Sequence, residues 1–299
     1  MPVTPSDSLP EPATSDRLTH PERLLWHDVG LTKQDLAAFY AAVAEWALPH
    51  LAGRPLSFVR CPAGVGQDGF VQKHAWAGMR PAIRRHTIGT EEVLVIHTLE
   101  GLIALVQASV LEIHLWGARI EAPERPDRVT IDLDPAEDVA WPALIEAAGE
   151  VRERLRRQGL ESFVKTTGGK GLHVVAPLRP QAGWAAVKRF AQALAAAMAG
   201  DQPERYIAKS TIRERAGRIY VDYLRNSRGA TAIGTYSTRA RPGAPVSTPL
   251  SWEELSPAIR PIDFTLGSVP TRLREVGRDP WADMARVDQS LPSRTKARR

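Results

Sequence analysis

Residues Val129-Thr-Ile-Asp-Leu-Asp-Pro135 restrict the fold more than any other stretch of this chain. Apolar and polar residues alternate there, and proline cannot extend a ladder, so the segment reads as a strand that Pro135 ends. Alternation sends Ile131 and Leu133 into a core. It puts Thr130, Asp132 and Asp134 on the other face, with the two carboxylates about 7 Å apart. Like charges on one face repel unless a cation lies between them, and carboxylate oxygens suit Mg²⁺ or Mn²⁺. A solvated strand end can carry the same D-x-D pair, so the pair alone leaves both readings open.

Mixed elements surround this strand. Thr32 opens a helix, with Asp35 in a capping box and Leu36, Phe39, Tyr40 and Val43 at helical spacing. Short strands are expected at 55–60 and 70–73, then at 93–96 and 111–116, with a helix over 99–110 between the last two. Amphipathic helices are expected at 141–159 and 184–199. Strands at 162–166 and 172–177 flank the turn Thr167-Gly-Gly-Lys-Gly171. A strand over 219–224 contains Asp222, and a short helix is expected from Ser251 to Leu255. The absence of a strict βαβ rhythm predicts an α+β fold rather than a doubly wound sheet.

Three further features carry chemistry. Asp222 lies in an apolar stretch, where a buried charge needs a partner. A metal shared with Asp132 and Asp134 would supply one, and so would Arg218 or Arg225. The 167–171 turn lets backbone N–H groups approach an anion, with Lys170 adding charge and His173 leading the next strand. It is not a Walker A loop, since no Ser or Thr follows the Gly-Lys pair; a plain hairpin with a structural histidine is the alternative. Arg23, Lys33, Arg54, Arg60 and Lys73 interleave with Trp26, Phe58, Phe70 and Trp76. That pattern suits phosphate contacts with base stacking, and core aromatics under surface arginines would look the same.

Composition narrows the class. The 299 residues hold 39 Lys+Arg against 34 Asp+Glu, and only 7 of the basic residues are lysine. An arginine excess suits bidentate phosphate contacts. One cysteine, Cys61, excludes a disulfide framework and a cysteine-built zinc site. No apolar run approaches the ~18 residues of a membrane span and no signal pattern opens the chain, so a cytoplasmic, nucleoid-associated location with no membrane partner is expected. Residues 1–17 read as a disordered arm, 18–285 as one catalytic domain and 286–299 as a basic tail.

Taken in order, these segments resemble the archaeo-eukaryotic primase superfamily, and within it the polymerase (primase-polymerase) domain of the bacterial end-joining ATP-dependent DNA ligase D. The carriers run from Leu18-Thr-His-Pro-Glu-Arg23 through Leu31-Thr-Lys33, Gly53-Arg-Pro55, Arg60-Cys-Pro62, Gln72-Lys-His74 and Leu111-Glu-Ile-His114. They continue with the Asp132/Asp134 strand, residues 167–173, Val221-Asp-Tyr-Leu-Arg-Asn226 and Tyr236-Ser-Thr-Arg239.

The resemblance implies a primase-like core of mixed and antiparallel sheets flanked by helices. It implies a nucleotidyltransferase with a two-metal Mn²⁺ or Mg²⁺ site on Asp132, Asp134 and Asp222, and no zinc. Thr167, Gly169, Lys170 and His173 would bind the triphosphate with Arg239 nearby, and His114 would sit beside the incoming sugar. Arg23 and Lys33 would hold a downstream 5′-phosphate, and Phe70 would stack on a base, although Val71 stands where relatives can carry a second aromatic. Arg60, Lys73, Arg215 and Arg218 would contact backbone or nucleotide.

The implied partners are DNA with 5′-phosphorylated gaps or 3′ overhangs, NTPs or dNTPs, a separate DNA ligase and an end-binding protein. The sequence carries no Lys-x-Asp-Gly adenylation motif. The expectation is therefore a free-standing DNA/RNA polymerase of double-strand break repair by non-homologous end joining, with primase and terminal-transfer activity as further capacities. Two other readings use the same residues: a metal-dependent phosphodiesterase and a non-catalytic DNA-end-binding module.

Overall fold

The structure, a computed structural model, describes residues 18–209 and 214–292. The chain enters through β1 (Leu24–Trp26), β2 (Leu31–Thr32) and helix α1 (Lys33–Leu51), followed by β3 (Leu56–Arg60), β4 (Phe70–Gln72), β5 (Arg84–Ile88) and β6 (Glu91–Val95). Helix α2 (Leu99–Gln107), β7 (Val110–Leu115), β8 (Arg128–Pro135) and α3 (Trp141–Arg157) come next. Then follow β9 (Phe163–Thr166), β10 (Leu172–Pro177), α4 (Trp184–Asp201), β11 (Tyr206–Ile207) and β12 (Ile219–Asp222). β13 (Ala232–Ile233), β14 (Pro249–Leu250) and α5 (Ser268–Val276) complete the set. The fold is α+β, as expected.

Local chemistry accounts for the element ends. At the start of α1, Asp35 N–H donates to Thr32 Oγ1 (3.2 Å) and Thr32 N–H donates to Asp35 Oδ2 (2.7 Å), a reciprocal capping box. Along α3, Leu144, Ala147, Ala148, Val151 and Leu155 are buried at helical spacing, while Arg154, Arg156 and Arg157 meet the negative end of the helix dipole. Helix α2 stops at Gln107, short of the expected residue 110, because Ser109 turns left-handed (φ 57°) and sends the chain into β7.

Two sheets meet around one core. The first has strand order β11-β12-β8-β10-β9-β14, antiparallel except for β11–β12. The second runs β13-β7-β3-β6-β5, with β4 also pairing β3. Strand β8 is central to the first sheet: Val129, Ile131 and Leu133 have no exposed surface, and α3 and α4 pack against the strand. Burying each such side chain contributes about 1.5–3 kcal/mol.

Besides α2, the 219–224 strand and the 251–255 helix depart from expectation, and β1, β2, β5, β11, β13, β14 and α5 have no counterpart among the expected elements. β12 ends at Asp222 rather than 224, because Leu224 N–H donates to Asp222 Oδ1 (2.7 Å) and the chain curls into a 3₁₀ turn over Leu224–Asn226. No helix forms at 251–255. Ser251 and Glu254 exchange the two capping bonds (2.8 and 3.2 Å), but Pro257 follows and offers no N–H to continue a helical ladder. β5 has no counterpart among the expected strands: four of its five residues are exposed, and it is held by pairing with β6 and by Ile88, which is buried against Val93 and Trp116.

Within the stretch expected as a basic tail, Asp288 pairs with Arg179 and Gln289 donates to the Pro177 carbonyl (2.7 Å). The expected arm at 1–17 and the end of the tail at 293–299 lie outside the described residues. Among those described, no helix is long and apolar enough to cross a membrane.

Candidate active site

Strand register assembles the site. Across the order β12-β8-β10-β9, Asp222 pairs with Asp132, Asp132 with His173 and His173 with Lys165. Directly paired residues share a face with Cβ atoms about 4.5–5.5 Å apart, so these four side chains form one row across four strands. Asp134 lies two positions along β8 on the same face. A cavity of about 260 Å³ opens over the row, lined by His114, Asp132, Asp134, Thr167, Gly169, Lys170, His173, Arg215, Asp222 and Arg239. His114 reaches it from β7, so both sheets contribute.

Arginines lie among the carboxylates. Arg225 Nε is 3.0 Å from Asp132 Oδ2 and 3.3 Å from Asp222 Oδ2, and Arg215 donates to Asp134 Oδ2 at 2.9 Å. Asp222 thus has the arginine partner that one sequence reading named, and it faces Asp132 across the strand pair. Among the described residues, no three acidic, imidazole or thiol groups are already drawn together as a cation cage. The donor set nevertheless suits divalent cations, since three hard oxygen donors face one cavity from adjacent strand positions.

The environments of the paired acids differ. Burial pushes Asp132 up, but His173 and Arg225 outweigh it and hold the carboxyl at about 2. Asp222 is raised above the usual range, chiefly by burial, although the Leu224 N–H and Arg225 oppose the shift.

The turn over residues 167–171 needs its glycines at two points. Gly168 has φ +65°, and a Cβ there would lie 2.7 Å from Arg239 Cγ. A Cβ on Gly171 would lie 2.6 Å from the Leu133 carbonyl, so only glycine lets the turn close against β8. Arg239 NH1 donates to the Thr167 carbonyl (2.6 Å), and Lys170 Nζ stands 3.8 Å from Asp134 Oδ1.

Glu112 is a site residue that the sequence pattern does not single out. Its Oε2 meets His114 Nε2 at 2.8 Å, while Oε1 faces Arg239 Nε (3.0 Å) and accepts from Ala240 N–H (3.0 Å). It therefore brackets His114 and Arg239 together. Its one signal in the sequence is an acid inside the apolar strand β7. Burial raises Glu112, but the His114 hydrogen bond and the Arg239 charge outweigh it and hold the carboxyl at about 2 against an ordinary 4.5. A depressed carboxyl stabilises the fold above its unfolded value, and that contribution disappears as pH falls through the folded value. Denaturant titrations between about pH 5 and pH 2 should show stability falling, with a shallower fall in Glu112→Gln; parallel curves would refute this share for Glu112.

The remaining expected residues lie outside the cavity. Lys33 is buried at the start of α1, with Nζ donating to the Thr19 carbonyl (2.9 Å). Arg60 stacks between Phe70 (5.3 Å) and Trp76 (4.7 Å), and Phe70 and Lys73 are exposed. Arg218 points to the Pro203 carbonyl (3.4 Å), and Arg23 also stands apart from the cavity lining.

A carboxylate row that can take cations, beside a glycine turn that can take phosphates, is equipment for nucleotidyl transfer. On this mixed α+β core it defines a metal-dependent nucleotidyltransferase of the primase-polymerase class. The family described as "LigD, primase-polymerase domain" matches residues 32–281, and the chain belongs to that family.

It is 42% identical over 280 residues to the multifunctional non-homologous end joining protein LigD of Pseudomonas aeruginosa, covering 92% of this chain and 33% of that one. It is 28% identical to the bifunctional non-homologous end joining protein LigD of Bacillus subtilis, covering 92% of this chain and 45% of that one. The chain thus spans less than half the length of these relatives. Among solved structures, the polymerase domain of Mycobacterium tuberculosis ligase D in complex with DNA aligns with a TM-score of 0.84 at 33% identity, covering 90% of this chain and 98% of that one.

Proposed function

We propose that this chain adds NTPs or dNTPs to a primer 3′-OH at gaps and broken DNA ends, in double-strand break repair by non-homologous end joining. The observation that carries the reading is the in-register row Asp222–Asp132–His173 beside the 167–171 turn. Asp132, Asp134 and Asp222 would hold two Mn²⁺ or Mg²⁺ ions. Such ions, when bound, polarise the α-phosphate and stabilise the departing pyrophosphate. The chain's own groups orient the substrate. Thr167, Gly169, Lys170, His173 and Arg239 take the triphosphate, His114 lies beside the sugar, and Asp222 helps activate the primer hydroxyl.

DNA is the proposed macromolecular partner, as in the M. tuberculosis neighbour's complex, and a separate ligase and an end-binding protein would complete repair. Phe70, Arg60, Lys73, Arg215 and Arg218 are assigned to DNA or nucleotide contacts, within one catalytic domain over 18–285. The readout is extension of a labelled primer across a one-nucleotide gap with Mn²⁺. A protein that binds the gap but never extends the primer overturns the reading in favour of an end-binding module.

Lys33 and Arg23 are assigned to the downstream 5′-phosphate. Burial, with the charges of Arg23 and Arg80 adding to it, lowers the Lys33 ammonium to about 8. Crowded cations of this kind favour an anion between them. In the free protein the Lys33 charge is complete below that value and lost above it. Preference for a 5′-phosphorylated over an unphosphorylated gap should therefore weaken as pH rises through about 8. It should be about tenfold smaller in Lys33→Met, the loss of one charge-assisted bond. A preference that is flat with pH and unchanged in the variant removes Lys33 from the pocket.

A further inference from the structure

A second cleft, of about 760 Å³, lies at the opposite end of β8 from Asp134. Its walls are the last turns of α1, the 116–127 loop, the residues at the end of β10 and the segment that follows α5. Trp46, Pro49, Leu178, Trp281 and Met284 make those walls mostly apolar. Small-molecule sites share this build: a concave apolar lining of roughly 300–1,000 Å³ with a few placed polar groups. No residue assigned above to nucleotide, metal or DNA lines the cleft, so what it binds is independent of the nucleotidyltransferase reading.

The buried wall of the cleft holds more cation than anion. Arg54, Arg119 and Arg128 converge on one carboxylate, Asp127, with N–O separations of 2.5, 3.6 and 3.3 Å. Glu121 also attracts Arg119, but it is exposed and solvent screens it. Arg54 spends its donors on Asp127 and the His50 carbonyl, and Arg119 donates to the Ala52 and Pro49 carbonyls (3.0 and 3.1 Å). Arg128 is different. Its side chain is 9% exposed and its Nε donates to Asp127 (3.3 Å), yet NH1 and NH2 have no acceptor among the described residues. Burial, then the Arg54 charge, push this guanidinium down to about 9, with Asp127 opposing. It still carries its charge at neutral pH, and buried N–H groups without an acceptor are costly. A carboxylate matches the free fork of NH1 and NH2 with two parallel bonds.

We infer that this cleft binds a small organic acid, its carboxylate on Arg128 and its apolar body along the tryptophan-lined walls. The mouth favours such a compact acid over a nucleic-acid strand. Arg125 and Arg278 stand there, but they donate to the Gln181 carbonyl (3.1 Å) and to Asp283 (2.6 Å). Glu45 and Glu121 are exposed beside them. A run of phosphates lying across the mouth would meet those carboxylates. One inserted head group passes them and reaches the buried arginine.

The test uses the whole chain and cinnamate as the probe, followed by equilibrium dialysis without DNA or nucleotide. The wild type should bind cinnamate at one site. Cinnamyl alcohol keeps the apolar body and lacks the charge, so it should bind at least about tenfold more weakly, the loss of one charge-assisted contact. Arg128→Met should reduce cinnamate to the affinity of the alcohol. Ala285→Trp adds bulk to the cleft lining from an exposed position and leaves the arginines in place; it should weaken cinnamate about tenfold with the melting temperature kept. Equal binding of acid and alcohol to the wild type, or no binding up to about 1 mM cinnamate, overturns the inference without recourse to a variant. So does cinnamate binding that survives Ala285→Trp, or that ATP or gapped DNA displaces, since the acid would then lie in the catalytic cavity.

Discussion

Asp132→Asn/Asp134→Asn should lose templated nucleotide addition by at least about 10³-fold while still binding gapped DNA. Ions held by these carboxylates would offset several kcal/mol of developing transition-state charge, and each 1.36 kcal/mol is about tenfold in rate. Asparagine keeps the side-chain volume and can still accept from Arg225 and Arg215, which now donate to the two carboxylates at 3.0 and 2.9 Å. The strands should therefore stay paired, and circular dichroism should be unchanged. The same variant separates the competing readings. A phosphodiesterase would release nucleotides from DNA without primer or triphosphate, and that release would be lost. An end-binding module would lose nothing. Normal extension by the double variant would remove these carboxylates from the chemistry.

The largest stability effect is expected far from the cavity, at Arg54. This side chain is 1% exposed and forks onto Asp127, with NH1 donating to Oδ1 at 2.8 Å and NH2 to Oδ2 at 2.5 Å. Its Nε donates to the His50 carbonyl (3.1 Å), so it ties the last turn of α1 to the residue just before β8. Burial pushes the Asp127 carboxyl up, but Arg54 and Arg128 together hold it well below the usual range. Arg54→Met leaves that partly buried carboxylate with weaker partners, at a cost of about 3 kcal/mol. That corresponds to a fall in melting temperature of roughly 6–12 °C for a domain of this size. Adding Asp127→Asn should restore part of the loss, because the stranded charge is then gone. A melting temperature within a degree of wild type would show that Arg128 and Arg119 suffice.

Much of the site is legible in the sequence. The paired aspartates, the 167–171 turn with His173, and Asp222 in an apolar strand all lie where their sequence patterns place them, and all line one cavity. The family resemblance, and with it the α+β class, also holds. The elements that sequence patterns miss have a common cause. β5 lacks an alternating apolar pattern, and its pairing with β6, which the local sequence does not record, makes it a strand. Glu112 escapes notice because one acid in an apolar strand does not say which distant residues it will meet. Residues 251–255 carry a valid capping pair, but a cap without a following ladder is only a turn.

The sequence by itself determined that Asp132 and Asp134 share a face, because the two-residue period of a strand is a property of the local backbone. It likewise determined that Thr32 caps α1 and that glycine occupies the turn beside β8. Only the tertiary structure decided that Asp222 and His173 lie opposite Asp132, and that Arg225 reaches both acids of that pair. Register between strands is set by which hydrophobic faces pack together after the chain closes long loops. That balance is struck over the whole core, and no single segment records it.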